Sequence, residues 1–100
     1  MAKLEITLHE KGGDVTYRQH HVSGQKYLDF WNLQEKIEEG NLKTAEIIKL
    51  RLEFIAGLFS DDELTPEQIL RGIDPWELDE TIIRINNIVL GVEKNAEKKN

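Results

Sequence analysis

The side chains able to do chemistry are few, and their spacing argues against most reactions. His9, His20 and His21 fall on a segment that reads as a hairpin, where His9 would face His20 or His21 across the strands and offer two imidazoles to a metal. No third ligand follows at a suitable spacing. The serines, Ser23 and Ser60, stand at helix boundaries and outside any strand–turn–helix elbow, so capping accounts for both. There is no cysteine, which removes thiol nucleophiles, thiolate zinc sites and disulfides together. Asp61-Asp62-Glu63 opens like a calcium loop, but counting from Asp61 puts Pro66 where such a loop needs glycine and Gly72 where it needs a bidentate glutamate. General acid–base work needs two carboxylates with split pKa values in a water-poor cleft, whereas these acids fall at wet helix starts. Gly12-Gly13 precedes a strand, not a helix, so it is no phosphate loop. The expectation is a non-enzyme with no metal and no cofactor.

The elements that must position these residues form one small domain. The 100 residues suffice for a single modest core, and 32% are charged, with a net charge of −6. That sign repels phosphates and anionic headgroups, so neither nucleic acid nor membrane is expected as a partner. The acid excess is concentrated in residues 60–91, where Asp61, Asp62, Glu63, Glu67, Asp74, Glu77, Asp79 and Glu80 face only Arg71 and Arg84. Part of it serves helix starts, and the rest is a field able to attract a basic partner segment. Residues 1–10 alternate charged with apolar and lack the apolar core of a signal peptide, so an intracellular protein is expected.

Leu4, Ile6 and Leu8 alternate with polar residues, and Val15 and Tyr17 do so again after Lys11-Gly12-Gly13-Asp14; this predicts a hairpin over 3–22. Two strands are marginal alone, so they must dock on helices. Ser23 and Gly40 bracket a helix over about 24–39, with Tyr27, Phe30 and Trp31 expected in the core. The next, over 44–59, carries two apolar stripes and should be covered on more than one side. Thr65-Pro66 with Gln68 predicts a capped helix over 66–71, ended by Gly72 in a left-handed conformation. Asp74-Pro75 with Glu77 repeats the grammar for a last helix over 75–90, closed by Gly91. Residues 92–100 should be a solvated polar tail. The fold class expected is therefore α+β: an N-terminal β-hairpin packed on a mainly helical domain of about four helices. A helix-turn-helix outline over 65–91 is excluded as a DNA reader because the would-be reading helix opens Asp74-Pro75-Trp76-Glu77.

This order of elements resembles the tail assembly chaperones of long-tailed bacteriophages and prophages, particularly those of Gram-positive hosts. The resemblance rests on Leu4-Glu5-Ile6-Thr7-Leu8, on Val22-Ser23-Gly24 followed by Tyr27-Leu28-Asp29-Phe30, and on Glu53-Phe54-Ile55-Ala56-Gly57-Leu58-Phe59. An acidic turn, Leu64-Thr65-Pro66-Glu67-Gln68-Ile69 and Gly72-Ile73 follow, and the match runs from residue 3 to about 91. It implies a non-enzymatic protein of the host cytoplasm, absent from the mature virion, that binds the tape measure protein and recruits tail tube subunits. It also implies a longer frameshifted product, for which Lys98-Lys99 could be encoded by an A-rich slippery run. Self-association is open, and a structural virion component, such as a head–tail connector or tail-completion protein, is the rival reading. Partner contact is expected on a rim of Phe59, Asp61, Asp62 and Trp76, with the acids steering basic stretches of the partner.

Overall fold

The computed structural model describes residues 4–92. It contains β1 (Leu4–Glu10), β2 (Gly13–Gln19), α1 (Gln25–Glu38), α2 (Thr44–Ala56), α3 (Pro66–Gly72) and α4 (Pro75–Leu90). This is the α+β hairpin-and-four-helix arrangement that the pattern implies. Residue 3 of the expected hairpin and residues 93–100, including Lys98-Lys99 and nearly all of the expected tail, lie outside the described residues.

β1 and β2 pair antiparallel, with Ile6 opposite Tyr17 and Leu8 opposite Val15. Glu10 pairs with Gly13 across a two-residue turn, and Gly13 takes a φ of +120° that only glycine adopts readily. This turn fixes the register, and a shift by one residue would turn Leu4, Ile6 and Leu8 from core to solvent. All three are almost fully buried. The opposite face carries a ladder of polar pairs: Arg18 Nε donates to Glu5 Oε2 at 2.9 Å, the Thr7 and Thr16 hydroxyls meet at 2.8 Å, and His9 Nδ1 meets Asp14 Oδ1 at 2.7 Å. His9 therefore faces Asp14, not His20 or His21. β2 stops at Gln19, short of the expected 22, because the Gln19 side chain leaves the sheet. Its amide donates to the His21 carbonyl and to Ser60 Oγ, and its oxygen accepts from the Ser60 backbone N–H at 2.9 Å.

The core is formed by the apolar face of the hairpin with Leu52, Ile55, Leu58, Phe59, Leu64, Ile69, Ile82 and Ile85. Each buried Leu or Ile adds about 1.5–3 kcal/mol of apolar transfer free energy, opposed by the ordering of the chain. α2 ends at Ala56, earlier than expected, and Leu58 and Phe59 reach the core from the turn that follows. α3 starts as its sequence dictates: Thr65 Oγ1 accepts from the Gln68 N–H at 3.1 Å and Pro66 occupies the first turn. Gly72 departs from expectation, since its φ is not positive. What it supplies is closeness. A Cβ placed there would lie 2.6 Å from Leu8 Cβ, so α3 can press against β1 only with glycine at this position. At the end of α4, Gly91 does take the left-handed conformation, with φ +78°, and the Val92 N–H donates to the Asn87 carbonyl at 2.8 Å.

Of the aromatics on α1, Phe30 is buried, stacking edge-on against Phe54 at 6.0 Å. Tyr27 and Trp31, expected inside, are 50% and 42% exposed. α2 and α4 both pack against α1, but they cover one face of it and leave the other to solvent.

Candidate partner-binding surface

No polar or charged side chain is buried among the described residues, so the polar groups all lie at or near the surface. It has three features: exposed apolar side chains on α1 and α4, a groove between helices, and two acidic stretches.

The groove lies where α1, α2 and α4 meet. Phe30, Ile47, Ile48, Ile82, Ile83 and Leu90 supply its apolar lining, and it encloses about 400 Å³ of space open to solvent. Gln34, Arg51 and Asp79 set its polar margin. Arg51 Nη2 donates to Gln34 Oε1 at 3.2 Å, tying α2 to α1 beside it. Ile83 is 57% exposed. Trp31, edge-on to Phe30 at 5.2 Å, extends this apolar area along α1. The groove exists because α4 repeats its apolar residues on two faces: Ile82 and Ile85 enter the core while Ile83 and Leu90 line the opening. A second depression, of about 600 Å³, runs from Leu4 and Val22 past Tyr27 to Ile88 and Val89.

Of the four residues expected at one rim, Phe59 is buried, while Asp61, Asp62 and Trp76 are exposed. Phe59 is a correction: at 7% exposure it belongs to the core, because the chain turns inward after Ala56 and carries this ring into the buried cluster that the hairpin's apolar face also joins. Asp61 and Asp62 are exposed in the turn that Ser60 ties to Gln19 on β2. Trp76 is 76% exposed, but it belongs to the start of α4, whose Asp74 and Glu77 lie by His9 on β1. The three-helix groove escaped sequence reasoning because its lining comes from helices far apart in the chain; the signal available was Ile83, an apolar residue off the main stripe of α4.

Around His9, a ring nitrogen and carboxylate oxygens of Asp74 and Glu77 lie within 4.8 Å of one another. The donor set is one that could hold a divalent ion, yet it occupies the positive end of the α4 dipole, and Asp14 already engages Nδ1. The hydrogen bond and charge of Asp14, then the charges of Asp74 and Glu77, raise the His9 pKa above 6.5. Asp74 makes no side-chain cap to α4, so its carboxylate is left to face the hairpin.

The family model described as phage tail chaperone protein matches residues 1–100, and the chain belongs to that family. No curated protein and no solved structure shows a significant match to it.

Proposed function

We propose that the chain binds the tape measure protein during phage tail assembly, without catalysis, and presents it to tail tube subunits in the host cytoplasm. The observation that supports this reading is the apolar groove between α1, α2 and α4, with Ile83 and Trp31 exposed beside it. A tape measure protein is long and helical, and its apolar faces must be kept from aggregating before the tube encloses them. An amphipathic helix laid into the groove would bury such a face on Phe30, Ile47, Ile83 and Leu90. The net charge of −6 favours basic stretches flanking that helix, and Asp61, Asp62 and Trp76, all exposed, extend the contact outside the groove.

The test is co-expression with the tape measure protein of the same tail gene cluster, followed by size-exclusion chromatography with light scattering. The wild-type chain should keep its partner soluble and co-elute with it, and Ile83→Asp should lose co-elution while keeping its own fold. A partner that precipitates beside the soluble wild-type chain refutes the chaperone reading. Solubilisation that survives Ile83→Asp together with Trp31→Ala refutes the groove and leaves the chaperone.

A further inference from the structure

The hairpin has two outer edges, and the fold treats them differently. At β1, Arg84 of α4 reaches across and its Nη2 donates to the Glu5 carbonyl at 3.0 Å, while Glu77 and Thr81 border a shallow pocket along the same edge. That carbonyl points away from β2. Backbone groups alternate sides along a strand, so Leu4, Ile6 and Leu8 bond inward to β2, and their partners Gln19, Tyr17 and Val15 bond back. The two-residue turn requires the same parity, because its flanking pair, Glu10 and Gly13, is a hydrogen-bonded pair. It follows that the N–H and C=O groups of Asp14, Thr16 and Arg18 point outward from β2. Among the described residues the helices meet the hairpin chiefly through β1, by α3 and α4, and the turn at Ser60 is bonded to β2 at its Gln19 end.

An open edge of this kind is a template for another strand, and proteins that must stay apart blunt it with proline, lysine or a bulge. β2, Gly-Asp-Val-Thr-Tyr-Arg-Gln, contains no proline and no lysine, and its register with β1 runs without a bulge. The sequence of the edge is instead self-complementary. We infer that two copies of this chain dimerise by antiparallel pairing of β2 with β2 about a two-fold axis at Thr16, forming a continuous four-stranded sheet.

Charge selects the register. Centring the pair on Asp14 or on Arg18 sets that residue against its own copy, and centring on Val15 or Tyr17 joins no carboxylate to a guanidinium. Centring on Thr16 sets Asp14 of each copy opposite Arg18 of the other, and Thr16 opposite Thr16. Asp14, Thr16 and Arg18 are then all in hydrogen-bonded pairs, which is the parity their outward groups require. On the polar face the existing cross-strand pairs extend into rows of four. One row reads Glu5, Arg18, Asp14, His9 across the two copies, with the first three alternating in charge, and the middle row is four threonines. On the other face Val15, 38% exposed in the single chain, lies opposite Tyr17 of the second copy, a pairing of β-branched with aromatic side chains. The two-fold axis makes the interface isologous, so it closes at the dimer and does not propagate. The inference does not depend on the identity of the chaperone's partner.

The experiment uses the full chain alone. Sedimentation or light scattering over a concentration series should show the mass rising from 11.6 kDa to twice that value. Over the same series the amides of Asp14, Thr16 and Arg18 should gain protection from hydrogen exchange. Thr16→Pro removes an N–H that bonds nothing within the hairpin, so it should leave the circular dichroism unchanged and hold the mass at one chain. Asp14→Arg and Arg18→Asp should each be monomeric, since each sets like charges opposite, and mixing the two should restore a dimer in which both pairs are again opposite. A wild-type mass that stays at one chain up to the solubility limit overturns the proposal. So does an oligomer that Thr16→Pro leaves intact, and a mixture of the two charge variants that stays monomeric overturns the register.

Discussion

Replacing Gly72 by alanine adds one methyl group at the tightest point between α3 and the hairpin. The new carbon would stand 2.6 Å from Leu8 Cβ and 3.2 Å from both Leu8 Cα and Cγ, where ordinary contact begins near 3.4 Å. Leu8 is fully buried and the nearest atoms are its Cβ and backbone, so no flexible tip can swing aside. β1 or α3 must move by several tenths of an ångström, and a shift of that kind in a packed core costs about 1–3 kcal/mol. The alanine's better helix propensity returns at most about 1 kcal/mol, and less in a last turn. The net expectation is a loss of about 1–2 kcal/mol, which for a domain of this size lowers the melting temperature by roughly 4–16 °C. Thermal and urea unfolding followed by circular dichroism would measure it. Gly57→Ala is the matched control, because its φ is −69° and the nearest atom a new Cβ would meet is 3.4 Å away. That variant should lie within about 0.5 kcal/mol of wild type, the range of surface substitutions without a special role. If Gly72→Ala proves as stable as Gly57→Ala, α3 does not press on β1 as described, and the account of the hairpin's docking is wrong.

The two proline-led helix starts should respond differently to loss of their capping residues. Thr65→Ala removes a formed bond to the Gln68 N–H and should cost about 1 kcal/mol in urea unfolding, whereas Asp74→Ala breaks no such bond and should cost less. His9 supplies a pH test. Its pKa is raised in the folded chain, so its contribution is fully present below pH 6.5 and is lost as the pH rises through the higher folded value. An NMR titration should place His9 above 6.5, and Asp14→Asn should bring it down; an unchanged value would show that Asp14 is not the cause.

The parts of the fold legible in the sequence are those decided locally. Leu4, Ile6 and Leu8 alternate because one face of a strand is buried, and Thr65-Pro66 and Asp74-Pro75 mark helix starts by the geometry of proline and the orphan N–H groups beside it. What was illegible depended on the partner across space. Nothing local distinguishes Phe30, which α2 covers, from Trp31, which it does not. Gly72 carries the same letter whether it ends a helix in the left-handed region or admits Leu8. The end of β2 was hidden because His20, His21 and Val22 could extend a strand, and only the Gln19–Ser60 bonds, 41 residues apart, draw the chain away. For the surface, the exposure of Trp76 follows from its place at a helix start, while the burial of Phe59 and the three-helix groove follow from packing between distant segments.

The bond from Arg84 to the Glu5 carbonyl joins residues 79 positions apart and bears on how the molecule is made. Synthesis runs from the first strand to the last helix, so β1 leaves the ribosome with the edge that α4 will later guard still bare. Closing so long a loop is slow relative to forming the hairpin or any single helix, because the entropy of closure precedes the reward of contact. The nascent chain thus passes through an interval in which both edges of the hairpin are open to strangers, and arrival of α4 ends that promiscuity at one edge while leaving the other available.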